Sequence, residues 1–197
     1  MRRAKGDAMT VAPTPPDEER RLEALRGFNI LDTPAEKAFD DLVRLAVYIC
    51  GTPIAAVSFI DKDRQWFKAK VGLTVPETKR DISFCSHALT LPNETLIVPD
   101  ASLDARFSDN PLVTGEPKIR FYAGAPLVTE DGFVLGTLCV IDHTPKELSA
   151  AQIKALEVLR NQVMRELELH RKNIELSEAN KKLEQARLDL SEGETRY

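Results

Sequence analysis

The sequence predicts an α+β domain in which helices come first, about five mostly antiparallel strands follow, and one long helix closes the chain. Three observations carry that reading. Two pairs of apolar runs are joined by short polar links: "IAAVSFI" and "QWFKAKVG" across "DKDR", and "KIRFYAGAPLVT" and "GFVLGTLCVID" across "EDG". In the second pair Asp131-Gly132 is a strong two-residue hairpin signal. Before the strands, Phe39, Leu42, Val43, Ala46 and Ile49 recur at helical spacing. After them, the chain runs from Ser149 to Glu192 with neither glycine nor proline.

Composition bounds the rest. A chain of 197 residues holds one domain of ordinary size plus an appendage. With 43% hydrophobic and 29% charged residues it can bury a sizeable core and remain soluble. The formal net charge of −4 lacks the clustered basic excess of a nucleic-acid binder. "MRRAKGDAM" is basic but leads into "TVAPTPPDEERR" rather than an apolar stretch, so it does not read as a signal peptide. No run approaches the roughly 20 apolar residues that span a bilayer. Cys50, Cys85 and Cys139 are odd in number and widely spaced, which fits a reducing compartment better than a disulfide framework. These features predict a cytoplasmic module with neither a nucleic-acid nor a membrane partner.

Along the chain, residues 1–16 are rich in proline and glycine and poor in apolar side chains, and are expected to be a disordered lead. A first helix is expected over "DEERRLEALRGFNIL", with Leu22, Leu25 and Ile30 or Leu31 on one side. "DTPAE" reads as the start of the second: Thr33 as cap, Pro34 at the first helical position, and Glu36 completing a capping box. "CGTP" stops that helix. Between the two hairpins lie a long irregular stretch from Leu73 to about Asn93, a short strand in "TLIVPD", and the turn-rich "ASLDARFSDNPLV" with room for a single helical turn.

The closing helix opens on a second capping box, Ser149 with Gln152. Ile153, Leu156, Val163, Leu167 and Ile174 then follow a 3–4 spacing, and Leu176, Ala179, Leu183, Ala186 and Leu190 continue it in a different phase. A helix this long and this polar needs a partner strip, and the seam predicts a parallel two-stranded coiled coil, hence a homodimer. The phase change within residues 167–176 reads as a stutter. The competing reading is a surface helix folded back on its own domain.

"LDTPAEKAFDDLVRLA", "SFIDKDRQWFKAKVGL", "RDISFCSHAL", "VPDASLDARFSDNPLV", "IRFYAGAPL" and "LGTLCVIDHTPKELS" resemble, in order, the GAF domains of bacterial sensors. The resemblance covers roughly residues 18–170. It implies a PAS-like antiparallel sheet of five or six strands, with helices packed on one side and a pocket on the other. It also implies terminal helices that pack as a dimer and continue into a signalling coiled coil, with an output domain (a histidine kinase or diguanylate cyclase) further along the parent chain. The tail "SEGETRY" is similar to the run-in to a PAS domain. The expected organisation is a lead at 1–16, the GAF domain at 17–148, a coiled-coil linker at 149–192, and the start of a downstream domain at 193–197.

Cys85 and His87 are too few for a zinc site, and residues two apart point in different directions, so they do not serve each other as nucleophile and base. Bilin-binding GAF domains carry Cys-His, whereas here Ser86 intervenes; no covalent cofactor is expected, and no cofactor is identified. The resemblance places Phe84, Cys85 and His87 where the chain crosses the open face of the sheet, as pocket wall or as plain core. Asp100, Asp104, Arg106 and Asp109 lack the spacing of a calcium loop and read as turn and capping groups, with Arg106 held by an aspartate. Arg120 and Tyr122 share a strand face, with Arg120 either paired to an aspartate or clamping an anion. The ligand-pocket candidates are therefore Phe84, Cys85, His87, Asp100, Arg106, Arg120, Tyr122 and Cys139, with no catalytic or metal residues. The expected function is a non-enzymatic sensory domain that binds a small molecule or relays a dimer signal. The alternatives are a dimerisation-only domain whose pocket is filled by Phe84, Tyr122 and Leu127, or a methionine sulfoxide reductase-like enzyme using Cys85 and Cys139.

Overall fold

The structure is a computed structural model that describes residues 9–194. Helices α1 (Glu18–Gly27) and α2 (Lys37–Cys50) lead into strands β1 (Ile54–Ile60) and β2 (Arg64–Val71). Strand β3 (Glu77–Lys79), two 3₁₀ turns at Arg80–Ile82 and Cys85–Thr90, strand β4 (Leu96–Val98) and the short helix α3 (Pro111–Thr114) fill the middle. Strands β5 (Phe121–Val128) and β6 (Val134–Asp142) precede α4 (Ala150–Glu194). The two expected hairpins join through β1 and β6 to give one six-stranded sheet, ordered β3-β2-β1-β6-β5-β4, in which every pairing is antiparallel.

Both faces of this sheet are covered, which is why β1 and β6 are buried along their whole lengths and read as continuous apolar runs. Phe121, Ala123, Ala125 and Leu127 of β5 face α1, α2 and α4, where Phe39, Val43, Leu156 and Val163 complete the core. Tyr122 on the same strand faces the other way, into a second apolar cluster with Phe84, Cys85, Phe107, Cys139 and Ile141. Leu127 therefore cannot fill a pocket on that second face; strand alternation turns it toward the helices.

Two features of the sheet were not expected. Strand β3 arises inside the stretch read as irregular, because its three residues pair with Arg64–Trp66 of β2 while carrying no apolar pattern. A register shift between Val57 and Ser58 of β1 leaves Lys68 as an extra residue on β2. The bulge turns Lys68 under the start of α2, where its ammonium donates to Thr33 Oγ1 (2.8 Å), the Pro34 carbonyl (2.7 Å) and Glu36 Oε1 (2.7 Å).

That contact also explains why the first capping box does not form. Helix α2 begins at Lys37 with no side-chain cap, Thr33 donates back to the Ile30 carbonyl (2.6 Å), and Glu36 is taken by Lys68 and by His170 Nδ1 (2.9 Å). At the other end Gly51, in the left-handed region at φ 61°, lets its N–H return to the Val47 carbonyl. The second capping box is present in full: the Ser149 N–H donates to Gln152 Oε1 (2.9 Å) and the Gln152 N–H to Ser149 Oγ (3.2 Å).

Helix α4 corrects the expected dimer seam. Leu156, Val163 and Leu167, read as facing a second chain, are fully buried against the domain's own sheet and α2, with Leu159 beside them. Ile153 and Ile174 are half-buried at the margins. His170 ends the docked half by holding Glu36 and the Asn29 carbonyl (3.1 Å). Beyond it Leu176, Leu183 and Leu190 are 61%, 70% and 71% exposed. The change of phase thus falls where contact with the domain ends: the first stripe serves the domain's own core, and only the second is left uncovered.

Residues 9–15 form neither helix nor strand, and residues 1–8 of the expected lead lie outside the described residues. Of the expected downstream start at 193–197, residues 195–197 also lie outside them, and α4 still occupies Gly193 and Glu194.

Candidate functional site

On the face away from the helices, the chain between β3 and β5 closes over the sheet and leaves a cavity of about 90 Å³. Phe84 and Cys85, at the start of the second 3₁₀ turn, form one wall, and Tyr122 from β5 forms the floor. Gln65 and Phe67 of β2, Thr78 of β3, Leu112 of α3 and Ile119 just after it are among the other lining residues. Phe84 stacks on Phe107 at 4.0 Å between ring centroids and tilts against Tyr122 at 5.3 Å, which fixes the wall. Gly124 makes room for Tyr122 to lie along its own strand, since a Cβ there would stand 2.1 Å from the tyrosine hydroxyl.

The polar atoms of this face converge on one sulfur. Gln65 Nε2 donates to Cys85 Sγ at 3.1 Å and the Tyr122 hydroxyl donates at 3.3 Å. Cys139 Sγ, on β6, stands 3.9 Å from it. Behind them, Thr137 Oγ1 lies 3.5 Å from both the Tyr122 and the Ser58 hydroxyls. Burial opposes ionisation of the Cys85 thiol, but hydrogen bonds from Cys139, Ser58, Thr137 and Tyr122 outweigh it and hold Cys85 below the ordinary thiol range. The hydrogen bond with Cys85, and then burial, pushes Cys139 well up, and Tyr122 is raised too, chiefly by burial. Of the two facing thiols, Cys85 is the one that accepts from both Gln65 and Tyr122.

Three of the eight expected pocket residues, Phe84, Cys85 and Tyr122, line the cavity. Cys139 adjoins it through Cys85, and the other four point elsewhere for identifiable reasons. His87 turns away within the same 3₁₀ turn and meets Phe107 edge-on at 4.6 Å. Asp100 accepts from the Ser102 N–H and hydroxyl in a local turn. Arg106 folds onto Asp104, donating from Nε (2.9 Å) and Nη2 (2.6 Å), as the turn-group reading expects. Arg120 lies just ahead of β5 and donates to the carbonyls of Val113 and Ile119, both at 3.0 Å, so it neither pairs with an aspartate nor reaches the cavity. Gln65 and Thr78 were missed; the Gln65–Phe67 alternation, which puts both on one face, is the signal that could have found the first. Among the described residues, no cluster of three or more His, Cys, Asp or Glu side chains could hold a metal ion.

His87 makes the domain acid-sensitive. Burial, and then the Arg106 charge, lower its pKa from 6.5 to about 4. Between those values the unfolded chain takes up a proton that the folded one refuses, so stability falls as pH falls through that window. The lowered carboxylates of Glu18, Asp104 and Asp142 act only below the usual carboxylate range, near or under pH ~4. Urea midpoints are therefore expected to fall between about pH 6.5 and pH 5, and His87→Gln is expected to reduce that slope.

The family model of the GAF domain matches residues 34–167, which spans the sheet, the cavity and the docked half of α4. The chain belongs to the GAF domain family. A curated relative, "Cyclic di-GMP phosphodiesterase PA2567" of Pseudomonas aeruginosa, is 43% identical over 157 residues. Those residues are 79% of this chain and 27% of the relative, so the chain spans about a quarter of that protein. Among solved structures, the GAF domain of an Acinetobacter phosphoenolpyruvate-protein phosphotransferase superposes with a TM-score of 0.56 at 19% identity, covering 78% of this chain and 93% of that one. The blue-light absorbing form of the Thermosynechococcus elongatus PixJ GAF domain gives 0.56 at 16% identity, covering 83% and 96%. At such identities these structures speak to the fold alone. No described helix of this GAF domain is long and apolar enough to cross a membrane.

Proposed function

We propose that this GAF domain is the sensory and regulatory relay of a cytoplasmic bacterial signalling protein. It acts as a homodimer and passes changes in helix packing to an output domain in the same parent chain. One observation carries the reading. Helix α4 is a 45-residue rod whose first half is part of the domain's core and whose second half bears an uncovered leucine stripe. It runs roughly 40 Å beyond residue 167, where the family match ends. Leu176, Leu183 and Leu190 recur every seven residues with Ala179 and Ala186 between them, which is the spacing of a two-stranded seam.

The cavity of about 90 Å³ is well below the roughly 300–1,000 Å³ of ordinary ligand sites. That favours a relay over a receptor for a large ligand such as a cyclic dinucleotide or a tetrapyrrole. It equally disfavours the methionine sulfoxide reductase reading, whose substrate would have to reach Cys85 through the same space. The name of the Pseudomonas relative makes an enzyme of cyclic di-GMP turnover the first output to test, ahead of a histidine kinase.

Native mass spectrometry of the 197-residue chain tests the dimer. The chain is expected to run as a dimer. Leu183→Asp, by burying a charge in the seam, is expected to raise the dissociation constant by about a hundredfold or more, on the order of 3 kcal/mol. A wild-type chain that stays monomeric at its highest soluble concentration overturns the reading.

A further inference from the structure

Cys85 and Cys139 form a pair that neither the relay nor the family membership uses. Their sulfurs are 3.9 Å apart, on segments 54 residues distant in sequence. The third cysteine, Cys50, sits on the opposite face of the sheet within the helix-side core. Only Cys85 of the pair borders the cavity, so a molecule entering there meets Cys85 first, with Cys139 next to it.

The cavity is also suited to a particular kind of visitor. Its lining is apolar except for Gln65, Thr78, the Tyr122 hydroxyl and Cys85. Polar groups in the wall of a small space suit a small molecule that can both donate and accept hydrogen bonds. A volume of about 90 Å³ admits one of water-like size and excludes a large one.

We propose that Cys85 and Cys139 are a peroxide-reactive dithiol that closes reversibly to an intramolecular disulfide, with hydrogen peroxide entering through the cavity. The Cys85 thiolate attacks one peroxide oxygen, the O–O bond breaks, and the departing hydroxide takes up a proton to become water. Cys85 is left as a sulfenic acid. Cys139 then attacks Cys85 Sγ, the S–O bond breaks, and the oxygen leaves as a second water with the Cys139 proton. Two thiols have lost two electrons, and one peroxide has become two waters. Hydrogen bonds from Gln65 and Tyr122 stabilise the attacking thiolate. A soluble dithiol reductant reverses the step by thiol–disulfide exchange.

The test reads thiols, whereas the relay is tested by subunit count, so either can fail alone. The reduced full chain is treated with excess hydrogen peroxide, denatured in N-ethylmaleimide, and weighed intact. Three adducts are expected before treatment, and after it one adduct, on Cys50, with a Cys85–Cys139 cross-linked peptide; dithiothreitol is expected to restore all three. In Cys139→Ser the sulfenic acid at Cys85 is expected to persist and to be trapped by dimedone. The wild-type result decides the matter even if that variant does not fold. Three adducts remaining after peroxide, or a cross-link that uses Cys50 or joins two chains, overturns the proposal.

Discussion

Leu156→Ala is expected to destabilise the domain by about 3 kcal/mol, within the range for emptying a buried leucine site. Leu156 is fully buried among the helix-side core, so truncation leaves a void lined by side chains of α2, the sheet and α4 itself. In a domain of this size such a loss lowers the melting temperature by roughly 6–12 °C. The effect also separates two views of α4. If Leu156 belonged to an intersubunit seam, the loss would shrink as protein concentration rose, because mass action would refill the dimer. As a residue of its own domain's core, it should give a shift independent of concentration. Leu183→Ala provides the contrast, since that side chain is 70% exposed and touches no core. As a residue of the proposed seam, it is expected to give a loss that shrinks as protein concentration rises. Thermal scans at two well-separated concentrations check both statements, and a Leu156→Ala shift that vanishes at high concentration would contradict the fold described above.

Gly136→Ala is expected to cost about 3 kcal/mol or more, by overpacking rather than by a void. Gly136 pairs with Phe59 on one side and Leu127 on the other, at the centre of the sheet. A Cβ there would stand 1.9 Å from the Ser58 carbonyl oxygen and 2.8 Å from the Phe59 Cα. Both are backbone atoms, so no rotamer change relieves the clash, and β1 and β6 must separate. Because the β1–β6 pairing joins the two hairpins, the strain falls on the seam that makes one sheet of them. Guanidinium unfolding should show a lower midpoint, and amide exchange should open β1 and β6 before the helices. A variant that unfolds like the wild type would mean that the strands have slack at this position.

The features legible in the sequence are those whose signal is local. Asp131-Gly132 announced a hairpin because the turn needs a left-handed residue, which Gly132 supplies at φ 86°, and Ser149 with Gln152 announced a helix start because the bonds close within four residues. The features that escaped depend on partners distant in sequence. Glu36 looks like the end of a capping box, but Lys68 and His170 claim it, and neither is visible from "DTPAE". The leucine pattern of α4 is genuine, yet periodicity reports only that a stripe is buried and not whose surface buries it. In the site, Phe84, Cys85 and Tyr122 were found because a motif and strand alternation pointed to them. Gln65 and Thr78 were not: Gln65 is a polar residue on a buried strand face, and Thr78 sits on the small strand β3, which carries no apolar signature. The closeness of Cys85 and Cys139 comes from a 3₁₀ turn lying across β6, a contact that only the folded chain defines.

The docking of α4 has a consequence for how such proteins are assembled from parts. Because the helix is pinned as far as His170, it leaves the domain at a fixed azimuth, and everything downstream inherits that angle. Each residue inserted after this point advances the next module by 1.5 Å and rotates it by about 100°. Seven residues return it to within about 20° of its starting direction, whereas four leave it about 40° away. Spacer length between this domain and the output domain proposed above should therefore be tolerated in steps of seven, and a graft that keeps every contact but breaks that step would deliver a correctly folded input to a misaligned machine.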